Sequence, residues 1–421
     1  MSLTETTAVD RVALQRRTIT TLRLAQVPGQ AAIAGVVAVL ALFVGDLLGD
    51  DRFAGSGNAA FTLGSALMAP SFASFSRRRG RRPALVAAFT IGACGAAVAA
   101  FGGQMRWVWL LLVGMVMFGG AQAASLQGRF VAADLAEPGH GPRAIAAVVW
   151  IGTLGAVFGP VLTPQWKELA PHLGLDPSVG PIAFAAVLSL GAAAIIWFRL
   201  RPDPLAVIGG IDPSASRVQP IKSVKRSWVV IQREPMVQLG LACMITVQAA
   251  MVAVMTMTPP HMRDHNQAGS SAYVIAVHIA GMYGLAPWVG RFVERVRPDR
   301  AVVVAALVLS GGTAGAVLAG YHRPLIFVGL FLLGLGWNIG LIAGSALVTS
   351  SVEQSERVEL QGTADLMMSF CGGCAAFGSG FIKRAWGFHL LANGTSIAAL
   401  ALAVFAGTRL FSSREGAYSA R

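Results

Sequence analysis

The chain has 421 residues, of which 55% are hydrophobic and only 13% charged, with a mean hydropathy of +0.63. A soluble domain carries about 25% charged residues; here the apolar residues fall in long uncharged runs that only a bilayer solvates, which excludes a water-soluble globular fold. The formal net charge of +13 lies in short segments between those runs, so it reads as membrane topology and not as a nucleic-acid-binding surface.

The first 24 residues are polar and hold Arg11, Arg16, Arg17 and Arg23. The apolar run after them is too long for the core of a cleavable signal, so it is expected to stay as a first span. A window of about 19 residues predicts spans at 27–49, 56–76, 83–102, 107–130, 143–163 and 180–199, then 236–257, 271–291, 301–320, 324–349, 362–382 and 386–408. Each is expected to be a helix, because in lipid a helix satisfies its own backbone. Between the two sets of six lies a polar stretch with Pro202, Pro213, Pro220, Lys222, Lys225 and Arg226. The predicted organisation is an N-terminal tail at 1–26, a six-helix bundle at 27–199, a linker at 200–235, a second bundle at 236–408 and a tail at 409–421. The fold class is an all-α membrane protein, with twelve transmembrane helices in two bundles around a central cavity.

With the N-terminus in the cytoplasm, the cytoplasmic segments hold 26 Lys and Arg and the opposite side holds 7: Arg52, Arg106, Lys167, Arg263, Arg323, Lys383 and Arg384. The positive-inside rule then puts both termini in the cytoplasm of an inner (plasma) membrane protein. The halves also repeat. A shift of 217 residues puts Pro70, Ala73, Phe75, Arg78 and Arg82 on Pro287, Gly290, Phe292, Arg295 and Asp299, three of them identical, at the exit of the second span of each half. Duplicated six-helix bundles are an established transporter design.

Three local patterns stand out. After the second span the chain reads Ala73-Ser-Phe75-Ser-Arg77-Arg78-Arg79-Gly80-Arg81-Arg82-Pro83. The fifth span contains Gly152-Thr-Leu-Gly155-Ala-Val-Phe-Gly159-Pro160. The fourth span ends in Gly128-Arg129-Phe-Val-Ala-Ala-Asp134-Leu, followed by Pro138 and Arg143, and the second half offers Leu335-Gly336-Trp337-Asn338, then Glu356, Arg357, Gln361-Gly362 and Asp365. With the six-plus-six organisation, these make the chain resemble the major facilitator superfamily over nearly its whole length. The first is similar to that family's loop motif G-x-L-a-D-R-x-G-R-R-P, with Arg77 in the place of the acid. In the family the acid latches the cytoplasmic side, so the resemblance implies a latch built differently here. The second-half copy, Gly290-Arg-Phe292-Val-Glu294-Arg295, keeps an acid and makes Glu294 a candidate for it. Arg77, Arg78, Gly80, Arg81, Arg82, Arg129, Asp134, Gly290, Glu294 and Arg295 thus form a candidate gate, with plain topology as the alternative reading of the arginines. The second pattern resembles the family's antiporter motif and implies export through Gly155, Gly159 and Pro160, although the trailing Gly-Gly is replaced by Leu162 and Thr163. The fourth-helix arginine of many proton-coupled exporters is missing, with Gly114 at its aligned position.

Polar groups inside spans cost free energy and so tend to face a cavity. His278, Asp46 and Asp365 are the candidates for proton coupling. Histidine titrates near neutrality, burial would raise an aspartate toward the useful range, and the alternatives are a histidine bonded to a neighbouring helix, an interfacial acid beside Asp50 and Asp51, and a helix cap or ion pair. Gln122, Gln248 and Asn338 can hydrogen-bond a substrate or a neighbouring helix. Met251, with an adaptable side chain, and Trp337 and Tyr283, which can stack on a flat ligand, complete the substrate-cavity candidates. Cys371-Gly-Gly-Cys374 matches a redox motif by letter, but it lies mid-span, where small residues serve helix packing.

The expected function is secondary active transport, with proton-coupled efflux of small amphipathic or drug-like molecules leading and uptake or facilitated diffusion of a metabolite as the alternative. A membrane enzyme or sensor is the third class. No H-E-x-x-H, Ser-x-x-Lys-like pair, paired carboxylates or P-loop supports it, and no cofactor or metal is expected. The expected partners are a small-molecule substrate, protons and the lipid bilayer, and the resemblance implies a monomer.

Overall fold

The computed structural model describes residues 3–49, 55–213, 220–264, 271–318 and 323–418, and among these every regular element is helical. α1 (Leu3–Leu48) runs unbroken from the polar leading segment into the first predicted span. Then come α2 (Ser56–Arg79), α3 (Arg81–Gln104), α4 (Val108–Asp134), α5 (Gly141–Val161), α6 (Thr163–Leu169), α7 (Gly180–Arg199) and the single turn α8 (Pro204–Val207). α9 (Pro220–Arg233) and α10 (Pro235–Asp264) follow; α11 (Ser271–Ile279) passes through a π turn (Ala280–Gly284) into α12 (Ala286–Val296). α13 (Pro298–Leu318), α14 (Arg323–Ser350) and α15 (Gln354–Tyr418) complete the chain. α15 contains Gly387 at φ 83° and ψ 167°, so it is two helical arms that meet at a glycine.

Within the described residues, each of the twelve predicted segments falls mainly on helix, the eighth split by the π turn. Among the described residues, nine helices are by length and composition long and apolar enough to cross a membrane. α2 is not one of them, because serines, glycines and three terminal arginines dilute its apolar content. Asp50, Asp51 and Arg52 lie outside the described residues, as do the side chains of Arg263 and Arg323.

Contacts divide the chain into two units. The first holds Met1–Lys225 together with Val358–Leu366, a short stretch early in α15. In it α4 packs on α2 and α3, and α1 on α5 and α7. Lipid tails are as apolar as leucine, so these contacts rest on close packing of small residues. A Cβ on Gly64 of α2 would lie 1.9 Å from the Val116 carbonyl oxygen of α4, and one on Gly114 of α4 would lie 2.4 Å from the Ala99 nitrogen of α3. Position 114 is therefore a helix contact with no room for any side chain, the aligned arginine included. Between the seams, Phe118 packs on Phe61 with ring centroids 5.4 Å apart.

The second unit holds Arg226–Arg357 and Met367–Arg421. α14 is its centre, in contact with α13, α10, α11, α12 and the π turn. The same device recurs. A Cβ on Gly312 of α13 would lie 2.4 Å from the Leu333 nitrogen of α14, and one on Gly281 in the π turn would lie 2.4 Å from the Phe331 carbonyl oxygen.

The sequence repeat has a backbone counterpart. Gly80, between α2 and α3, has φ 100° and ψ 167°. Arg297, 217 residues on and between α12 and α13, has φ 78° and ψ 144°. The same turn is built twice, once with glycine and once with a residue that strains to adopt it.

Candidate functional site

The densest polar cluster lies within the first unit, at the end where α2 finishes and α3 begins. The sequence sets it up. Three arginines close α2, Gly80 turns the chain, and Arg81 opens α3. Arg81 is buried and forms a two-pronged pair with Asp134 at the end of α4, Nε to Oδ2 at 2.7 Å and Nη2 to Oδ1 at 3.1 Å. Its Nη2 also donates to Gln361 Oε1 at 2.8 Å. Arg77 donates to Glu359 at 2.8 Å and to Asp212 at 3.2 Å. Arg129 pairs with Asp365, both buried, and Gln127 Nε2 donates to the other Asp365 oxygen at 3.1 Å. Arg129 also donates to the Leu126 carbonyl at 2.6 Å and lies over the Phe130 ring.

These pairs dock Val358–Leu366 onto the end of α2 and α4. Glycine at 362 permits the approach: a Cβ there would sit 2.3 Å from Ala73 Cβ. A cavity of about 10 Å³ lined by Ser76, Arg81 and Gln127, just large enough for one water, adjoins the pairs. Among the described residues Arg81 Nη1 and Ser76 Oγ have no protein partner. Half-buried Arg82 is held by Asp203, which accepts from its backbone nitrogen at 2.8 Å, and its guanidinium lies over Trp197. Arg78 is half-buried.

Of the predicted gate residues, the structure thus brings together Arg77, Arg81, Arg82, Arg129, Asp134 and the turn at Gly80. Arg77, which stands where the family's loop motif has an acid, meets acids contributed by other segments. Asp365, read from sequence as a coupling candidate, a cap or a pair, is in a pair. The sequence reading did not name Gln127, Asp203, Asp212 and Glu359 as partners. A signal existed for two of them. Glu359, Gln361 and Asp365 carry the polar start of α15 into the residues where its apolar run begins, and Gln127 and Asp134 are seven residues apart on one face of α4. Gly290 is buried in α12, Glu294 half-buried and Arg295 exposed.

A second cluster lies within the second unit. Trp337 of α14 donates from Nε1 to Gln248 Oε1 of α10 at 2.7 Å. Tyr283, in the π turn, meets the Trp337 ring edge-on at 5.6 Å between centroids. Met251, one turn on from Gln248, is buried. Asn338 is fully buried, and neither its amide oxygen nor its nitrogen has a partner among the described residues, an unusual state for a buried amide. Three of the predicted substrate groups therefore form one hydrogen-bonded aromatic set, and a fourth supplies an unsatisfied amide next in sequence.

The remaining candidates are placed singly. His278 is buried, with Nδ1 bonded to the Leu330 carbonyl at 2.9 Å and Nε2 without a partner among the described residues. Asp46 is exposed two residues before the end of α1, so the burial expected to tune it is absent. Gln122 of α4 is half-buried with an unpartnered Oε1. Gly155 and Gly159 of α5 seat against α1, where their Cβ atoms would lie 2.4 Å from the Val27 carbonyl oxygen and 2.5 Å from the Ala31 carbonyl oxygen. Pro160 is the next-to-last residue of α5, which ends at Val161, and α6 starts at Thr163.

Membrane-length helices, with buried ion pairs at one end of one unit and a polar aromatic set within the other, define a polytopic membrane protein. Residues 24–377 match the Major Facilitator Superfamily, and the chain belongs to that family. It is 34% identical over 372 residues to the uncharacterized MFS-type transporter YdeG of Bacillus subtilis, covering 88% of this chain and 86% of the relative. It is 28% identical over 377 residues to the riboflavin transporter RfnT of Brucella anthropi, covering 89% and 91%. The crystal structure of the human organic anion transporter MFSD10 (TETRAN) shares its fold at a TM-score of 0.73 and 16% identity, covering 93% of this chain and 99% of that one. The chain is a multi-pass membrane protein and a secondary transporter of this superfamily.

Proposed function

We propose that the protein exports small, flat, amphipathic molecules in exchange for protons, from a plasma membrane in which both termini are cytoplasmic. The observation that carries the coupling is the pairing of Asp365 with Arg129 and Gln127, all buried in the first unit. A carboxylate that takes a proton loses its charge and no longer holds an arginine. Protonation of Asp365 would therefore release Arg129 and loosen the docking of Val358–Leu366. Among the three coupling candidates Asp365 is the one whose protonation breaks an ion pair. His278 has its ring fixed on a backbone carbonyl, and Asp46 is exposed at a helix end.

Support for export is the small-residue seam of Gly155 and Gly159 on α1, followed by Pro160. Support for a flat substrate is the Gln248–Trp337–Tyr283 set, with Asn338 beside it. A second reading, uptake or facilitated diffusion of a heteroaromatic metabolite, is favoured by the likeness to RfnT over nearly the whole chain.

The test is flux in inside-out vesicles, with a panel of fluorescent cationic, neutral and flavin-like probes. The expected result is accumulation that needs the proton gradient, collapses with an uncoupler, and is lost in Asp365→Asn but kept in Asp46→Asn. Equal flux with and without the gradient would overturn export by antiport and leave the facilitator reading. Gradient dependence retained in Asp365→Asn would move the coupling to another group, with His278→Ala the next variant.

A further inference from the structure

We propose that α9 is a membrane-surface helix whose exposed face binds anionic phospholipid headgroups. The helix has two distinct sides. Ser223, Ser227, Val230 and Ile231 recur at helical spacing and are buried. Lys222, Lys225 and Val229 share the opposite side and are exposed, with Trp228 at its flank. Trp228 is 49% and Val229 62% exposed. No acid occurs between Lys222 and Arg233, and neither lysine has an ion-pair partner among the described residues. Arg233, at the end of the helix, meets Glu234 at 2.9 Å and Glu356 at 2.8 Å and so does not belong to the lipid-facing set.

Position fixes the occupant. α9 ends at Arg233 and α10, one of the membrane-length helices, begins at Pro235. A single residue separates them, so the last turn of α9 lies at the membrane boundary. Lying along that boundary, α9 would set its exposed tryptophan and lysines in the headgroup layer, where indole favours the interface and lysine favours anionic phosphate. The chain's excess of 13 positive charges has the sign such a surface requires, and the paired lysines and tryptophan focus it on one helix face.

The experiment uses the full chain in nanodiscs of phosphatidylcholine, with or without about 30% phosphatidylglycerol, an anionic fraction that gives a marked surface potential. Acetylation of Lys222 and Lys225 by an uncharged reagent is read by mass spectrometry against exposed Lys167. The expected result is about fivefold slower labelling of both lysines in the anionic discs, the equivalent of about 1 kcal/mol per cation near such a surface. High salt reverses it, and Lys167 changes little. A headgroup-attached nitroxide quenches the wild type more than Trp228→Phe. Equal labelling in the two discs overturns the proposal, as does equal protection of Lys167, which would make the effect a general surface potential. Protection by inorganic phosphate in the neutral discs overturns the assignment to lipid. Lys222→Gln and Lys225→Gln lie on the exposed face and are expected to fold, so the loss of any anionic-lipid dependence of stability in the double variant is a second readout.

Discussion

Two buried ion pairs organise the first unit, and their energetics are asymmetric. Taking two charges out of water offsets most of what their attraction gains, whereas removal of one partner leaves the other buried and uncompensated. Asp365→Asn is expected to destabilise the protein by about 3–5 kcal/mol, read as a drop in the detergent melting temperature. Because the cost is the orphaned arginine, Arg129→Met with Asp365→Leu is expected to recover most of the loss, with strong coupling in the double-mutant cycle. If the double variant is no better than the worse single, the pair has another function in stability. In the second unit, Trp337→Phe keeps the ring and removes one hydrogen bond. A loss of about 0.5–1.5 kcal/mol in substrate affinity, with the fold unchanged by melting, is expected if Gln248 and Trp337 act together on the ligand. The residue types at these sites were legible in the sequence because charge in an apolar helix stands out. Their partners were not: Arg129 and Asp365 are 236 residues apart, and a pair is made by folding.

At the scale of elements, the repeated turn supports a test of opposite signs at equivalent positions. Arg297 sits in a backbone region that costs a side-chain-bearing residue about 1–3 kcal/mol, whereas glycine loses about 0.5–1 kcal/mol of extra chain entropy on folding. The strain is the larger quantity, so Arg297→Gly is expected to raise the melting temperature. Gly80→Ala is expected to lower it, because φ is 100° and the new Cβ would lie 2.5 Å from Asp203 Oδ2. Gly362→Leu is expected to undock Val358–Leu366 by collision with α2, exposing Arg77 and Arg81 to proteolysis or labelling. The apolar stretches of the helices were legible from the sequence, but several ends were not: α1 begins at Leu3 and α10 ends at Asp264, beyond the expected 27–49 and 236–257, because helix continues past the apolar run. The π turn was not, since nothing in Ala280–Gly284 marks an extra residue in the turn; it is fixed by how Gly281 and Tyr283 pack on α14.

For the molecule as a whole, the distribution of 26 against 7 basic residues predicts that reporter fusions at residue 1 and residue 421 are both active on the cytoplasmic side. Reporters active on opposite sides would break the twelve-span scheme, and both active outside would reverse its orientation.

The sequence by itself determined that this chain is helical, membrane-embedded and built twice, because hydropathy, charge placement and a repeated motif are properties of segments and are written along the chain. It also named most of the residues that cluster. Only the tertiary structure decided which charges are paired, that Gly114 is a helix contact, that Asp46 is exposed, and that Asn338 is buried without a partner. Those are properties of neighbours brought together from distant positions, and close packing of small residues, which lets backbones approach to contact, is the physical step that brings them there.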